Sequence, residues 1–296
     1  RPTVVPTGVV LNSLIFVAPN VVEVGGYAWM KFPVDSSLPR KFMIGDAFDY
    51  YVKQTGRVKD KEYETVQWKF TAEFQAHLHH AKYPLEQGVI SLQLNVNSTD
   101  KVALLVPDLA SYALTTPTEL PGLDTRTFLP GWRIMRTYYE LRAAEPGAKL
   151  GLDKDLDDLA LPTLFFDIGI KRQFLDAFLS HLTPLFLVLV SLFALLLLPD
   201  MDYGRALAIV VSVVFVSVFS HIDVRRTLVA SEVFYLEFFF FGIYATILWV
   251  GYNIVRVPIG YTNWFHEFHQ NNILARVLFW PLLLSGFALV TIVNFY

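Results

Sequence analysis

The chain has 296 residues, 54% hydrophobic, 15% aromatic and 17% charged, with a mean hydropathy of +0.42 and a formal net charge of −3. That apolar content argues against a purely water-soluble globule, and without a basic cluster the phosphate-neutralising footprint of a nucleic-acid binder is absent. Zero cysteines exclude disulfides, thiolate metal sites and cysteine nucleophiles.

Arg1 is not an initiator methionine, and Arg1 to Asn20 lacks the charged start and apolar run of a signal peptide. A mature or trimmed chain is expected, with or without a further domain upstream. Residues 8 to 172 form short β-branched or alternating runs broken by Gly, Pro, Asn and Asp: Gly8 to Val17, Val21 to Phe32, Glu64 to Phe74, Val89 to Val96, Trp132 to Arg142 and Thr163 to Ile170. In the third run Trp68, Phe70, Ala72 and Phe74 share one face, and Lys69, Thr71 and Glu73 the other. An antiparallel β-sandwich over residues 1–172 is the expected first domain.

Residues 173–296 differ. Of the 51 charged residues only 12 follow Arg172, and no lysine follows Lys171. Phe178 to Leu198, Gly204 to Ile222, Val233 to Val255 and Val277 to Tyr296 are each long and apolar enough to span a bilayer as a helix. Pro199 to Tyr203 joins the first two tightly, about ten residues around Arg225 and Arg226 join the next two, and a polar stretch, Arg256 to Arg276, precedes the last. Four crossings place the N-terminal domain and the C-terminus on one side, while the arginines are too evenly divided for the positive-inside rule to orient the bundle.

Several motifs narrow the reading. Tyr83-Pro84-Leu85-Glu86-Gln87, followed by the strand Val89 to Leu94, is similar to the aromatic-Pro-aromatic-Asp loop of the pentameric ligand-gated ion channels, the Cys-loop receptor superfamily, with Leu85 and Glu86 as departures. Gly131-Trp132-Arg133-Ile134 resembles that family's ninth strand, and Phe165 to Arg172 its last strand with a basic residue before the membrane. Pro184 resembles the proline of its first transmembrane helix. The chain is identified on these residues as resembling the cysteine-free prokaryotic branch. It departs from the family in a short stretch between Phe32 and Tyr63, in lacking a Trp-x-Pro-Asp strand, and in lacking a proline from Ile222 to Ser231. A standard agonist pocket is therefore not expected.

The resemblance implies a homopentameric channel in the cell inner membrane, surrounded by lipid, with a periplasmic or extracellular N-terminal domain. Its partners would be permeant inorganic cations, with no nucleic acid and no required cofactor. It also implies that the second helix lines the pore. The spacing four, three, four, three places Ala208, Ser212, Phe215, Phe219 and Ile222 on one face, and a register one residue earlier gives Leu207, Val211, Val214 and Val218. The first puts small Ala208 and Ser212 below bulky residues, as a filter beneath a dewetting gate requires. The other reading of these phenylalanines is lipid-facing packing. Asp200 and Asp202, with Arg205 following, are candidates for the selectivity ring and point to cations, or else serve as interfacial helix-end charges. Glu237 lies inside the third apolar run, where it needs a partner or water, and Glu232 precedes it.

By the same resemblance, coupling between the outer domain and the pore would use Glu86, Arg172, Arg225 and Arg226, with Glu86 pairing Arg172 or a hairpin arginine. The candidate calcium site is the acidic run Asp153, Asp155, Asp157 and Asp158, whose hard oxygen ligands suit that ion. It is not an EF-hand, because Asp158 and Leu164 stand where glycine and glutamate are needed. A solvated acidic loop is the competing reading. Asp108 and Glu119 are weaker candidates. His77, His79 and His80 offer a metal or proton site or a plain surface turn, and His181 and His221 need no role beyond interfacial polarity. No triad, phosphate loop or supported carboxylate pair marks an enzyme. The nearest polar cluster is Trp264 to Asn272, with His266, Glu267 and His269. A non-conducting sensor anchored by four helices is the alternative to a channel.

Overall fold

The computed structural model describes residues 2–76, 78, 80–96, 103–143, 162–198, 202–228, 233–256 and 273–295. The chain divides into two compact units. One comprises Arg1–Leu78 and Gln87–Arg172, and the other His79–Glu86 and Gln173–Tyr296. Residues 80–86 fall in the second unit although in sequence they lie between two strands of the first.

The first unit is a sandwich-like pair of sheets. Strands β1 (Thr3–Ala18), β2 (Val21–Pro33), β4 (Ala47–Lys59), β5 (Tyr63–Gln75) and β7 (Ala103–Pro107) form a five-stranded sheet in the order β4-β5-β2-β1-β7. Strands β3 (Phe42–Gly45), β6 (Gln87–Val96), β8 (Trp132–Arg142) and β9 (Thr163–Arg172) form a four-stranded sheet in the order β3-β6-β9-β8. Pairing is antiparallel except between β1 and β7, which run parallel.

The alternation expected in β5 is observed, with Trp68, Phe70, Ala72 and Phe74 all buried. They meet Val5, Val9, Val22, Val24, Met30 and Phe32 of the same sheet, and Ile90, Leu92, Phe166 and Ile168 of the other, in one apolar core. Gly8 is required by close packing, because a Cβ there would lie 2.1 Å from the Trp29 ring. Three strands escape the sequence reading. β4 is exposed along nearly its whole length, so it carries no apolar alternation, and β3 and β7 are only four and five residues long.

The second unit contains the short helix α1 (Phe174–Ala177), a π-helical turn Phe178–Leu182, and four longer helices: α2 (Thr183–Leu197), α3 (Tyr203–Leu228), α4 (Tyr235–Arg256) and α5 (Ile273–Phe295). Four of its helical segments are long and apolar enough to cross a membrane: Leu179–Leu197, Gly204–Leu228, Tyr235–Ile254 and Ala275–Phe295. The π turn precedes Pro184, whose missing N–H removes one α-helical hydrogen bond and favours a widened turn. The main boundary difference is at α3, which extends to Leu228 rather than ending near Ile222. Arg225 and Arg226 are thus helical, in a last turn where cations oppose the helix dipole favourably.

Alternating helix directions are recorded in the cross-contacts. Arg276 Nε, at the start of α5, donates to the Leu196 carbonyl at the end of α2 (2.7 Å). At the opposite end, the Tyr235 and Thr291 hydroxyls lie 2.7 Å apart and the Tyr235 and Phe295 rings 5.1 Å apart. Residues 80–86 also pack at that end, where Tyr83 is buried edge-on between His181 and Phe234.

Candidate functional site

Helix α3 has two unlike faces. Ala206, Val210, Val213, Ser217, Val224 and Leu228 are buried among its neighbours. The opposite face carries Ala208, Ser212, Phe215, Phe219 and Ile222, all exposed. Phe215 at 57% and Phe219 at 66% are the most exposed large apolar side chains among the described residues of the helix. In the alternative register Leu207, Val211 and Val218 are less exposed, at 38%, 47% and 37%, and Val214 packs against the core of the helical unit. The Phe215 and Phe219 rings stack 6.3 Å apart at 22°. The Ser212 hydroxyl donates to the Ala208 carbonyl (2.9 Å), which satisfies it within the helix and leaves its lone pairs on the open face. The chain therefore presents a long apolar stripe with small residues at one end and a pair of phenyl rings further along.

At the small-residue end, Asp202 is exposed just ahead of the helix, and its Oδ2 accepts from the Arg205 backbone N–H (3.3 Å). This is the geometry of a helix N-cap. Arg205 is exposed beside it, and Asp200 lies outside the described residues.

At the other end is a polar cluster that the sequence reading only half saw. Glu237, in the first turn of α4, is fully buried. Its carboxylate accepts from Arg225 Nε and, at 3.1 Å, from Arg225 Nη2. It also contacts His221 Nε2 at 3.1 Å and accepts from the Phe234 backbone N–H at 3.3 Å. With the proton on Nε2, His221 uses Nδ1 to accept from the Tyr244 hydroxyl (3.0 Å), and its ring stacks on Phe240 at 4.6 Å. The network joins α3 to α4 at the rim of the membrane-spanning region. The partner that Glu237 requires is present, but it comes from His221, for which interfacial polarity alone is expected, and from Arg225, which lies on the helix and not in the connection after it. The available signal was spacing: His221 and Arg225 are four residues apart, so they share a helical face, and a short connection brings the start of the next helix opposite them.

The remaining coupling candidates divide between the units. Glu86, in the helical unit, is buried with Oε2 at 2.8 Å from His80 Nδ1. Arg172, in the sandwich unit, lies over the Trp132 ring at 4.5 Å. Arg226 is exposed on α3.

For metal binding, the main candidates Asp153, Asp155, Asp157 and Asp158 lie outside the described residues, as do His77, His79, Glu232 and Trp264 to Asn272. Among the described residues no group of three or more His, Asp or Glu side chains is arranged to hold a metal ion. Asp108 is already engaged. Its Oδ2 accepts from Trp29 Nε1 (2.8 Å), Lys31 Nζ (2.7 Å) and Ser111 Oγ (2.5 Å). An ammonium there occupies the position a cation would take.

Burial pushes the Asp108 carboxyl up, but donation from Lys31, Ser111 and Trp29 outweighs burial and holds it below its ordinary value of 3.8. A depressed carboxylate adds stability above the unfolded-state value and loses it as pH falls through the lower folded-state value. The thermal midpoint of the wild-type chain is thus expected to fall as pH drops below about 4, and less steeply in Asp108→Asn. Parallel pH profiles in differential scanning fluorimetry would contradict this.

No protein-family model matches the chain, and a search of curated proteins finds no match.

Proposed function

We propose that this chain is the subunit of a pentameric, ligand- or ion-gated ion channel, with α3 lining the pore and the β unit lying outside the membrane on the periplasmic side. The observation that carries the reading is the divided α3. One face is buried by its own subunit, and the other exposes Ala208, Ser212, Phe215, Phe219 and Ile222 in a continuous stripe. Five copies facing an axis would turn the two phenylalanines into rings that exclude water when close together, which is gating by dewetting. The motifs at Tyr83 to Gln87, Trp132, Phe165 to Arg172 and Pro184 support the same assembly. Signals from the β unit would enter through residues 80–86, which belong in sequence to the β5–β6 connection yet pack with the helices.

Purified full-length protein reconstituted in planar bilayers tests the proposal. Discrete single-channel currents, with cross-linking that stops at five subunits, are expected. A monodisperse protein that conducts no ions under any stimulus would favour a membrane-anchored sensor instead.

A further inference from the structure

Arg225 and Arg226 are adjacent in sequence but chemically opposite in the fold. The Arg225 guanidinium is consumed by buried Glu237. Arg226 is exposed, and its guanidinium makes no ion pair or hydrogen bond among the described residues. Because α3 continues to Leu228, the stripe Ala208, Ser212, Phe215, Phe219, Ile222 extends in phase to Arg226, four residues beyond Ile222. Arg205, three residues before Ala208, is also exposed but sits about 60° from the centre line of the stripe at 100° per residue. Asp223 is the acidic residue in this part of the helix. It sits about 60° from the centre line of the stripe at 100° per residue, and it forms no ion pair with Arg226. Asp202, which suggested a cation-selecting ring, caps the helix instead of extending the stripe.

We propose that Arg226 sets the charge selectivity of the mouth at the C-terminal end of α3, making it an anion-recruiting ring. The pathway then favours small inorganic anions such as chloride over sodium. This rests on the channel reading above. Rings of arginine at a narrow mouth attract anions and repel cations, and low-dielectric walls strengthen the field. Glu237 cannot offset it, because that carboxylate is already bound by Arg225 and His221.

The test is the reversal potential of the reconstituted full chain in a tenfold NaCl gradient, for wild type, Arg226→Lys and Arg226→Glu, each checked for a monodisperse assembly. Wild type and Arg226→Lys are expected to reverse toward the chloride equilibrium potential. Arg226→Glu is expected to move toward that of sodium, with the chloride-to-sodium permeability ratio falling about tenfold, the low end of what a charged cleft does to local ion concentration. Currents that reverse at the sodium potential in wild type, or at one potential in all three proteins, overturn the role of Arg226 while leaving the channel intact. Absence of current from every protein overturns the channel reading, and this assignment with it.

Discussion

Glu237→Ala is expected to destabilise the helical unit by about 2 kcal/mol, below the usual loss for truncating a fully buried pair because Arg225 retains access to water. The substitution leaves the His221 ring N–H and the Phe234 backbone N–H facing an apolar gap, in addition to the lost guanidinium contact. The same argument predicts that Glu237→Ala and Arg225→Ala are not additive. Once either partner is gone, removing the other costs little, so a double-mutant cycle returns a favourable coupling energy. Thermal unfolding of the detergent-solubilised protein measures both quantities. Equal midpoints for wild type and Glu237→Ala, or strict additivity, would show that the cluster does not tie α3 to α4.

A second large effect is expected at the phenyl pair. Phe215→Ser combined with Phe219→Ser replaces stacked rings with hydroxyl groups. With about 2 kcal/mol of unfavourable hydration removed per phenyl group, resting conductance is expected to rise at least about tenfold, and current should persist without a stimulus. If the rings face lipid instead, the double variant leaves resting current unchanged and lowers stability. Single-channel recording with a parallel thermal midpoint distinguishes the two outcomes.

What could be read from residues alone follows from which residues carry a periodic signal. Trp68, Phe70, Ala72 and Phe74 alternate because one side of β5 is buried and the other is not, and that alternation identified the strand. β4 has the same length as β5 but is exposed along most of its residues, so nothing in its pattern separates it from a loop. The four apolar segments were legible because a bilayer demands length and composition together. The end of α3 was not, because hydropathy stops at Ile222 whereas backbone hydrogen bonding continues through Asp223, Arg225 and Arg226 to Leu228. That difference of one and a half turns moves two arginines from a loop to a helix and sends them to opposite fates. The partners of Glu237 were hidden for a related reason: they lie 12 and 16 residues earlier and meet it only after two helices fold back on one another.

If the exposed face of α3 lines an ion pathway, thiols introduced along it report that directly. The chain contains no cysteine, so each introduced thiol is unique without any prior substitution. Ser212→Cys, Phe215→Cys and Phe219→Cys, reconstituted and exposed to a charged, membrane-impermeant thiol reagent during recording, should each show an irreversible change in current. Val210→Cys and Val213→Cys, on the buried face, should show none. A current that the reagent leaves untouched at all three exposed positions, or alters equally at the buried ones, would contradict the assignment.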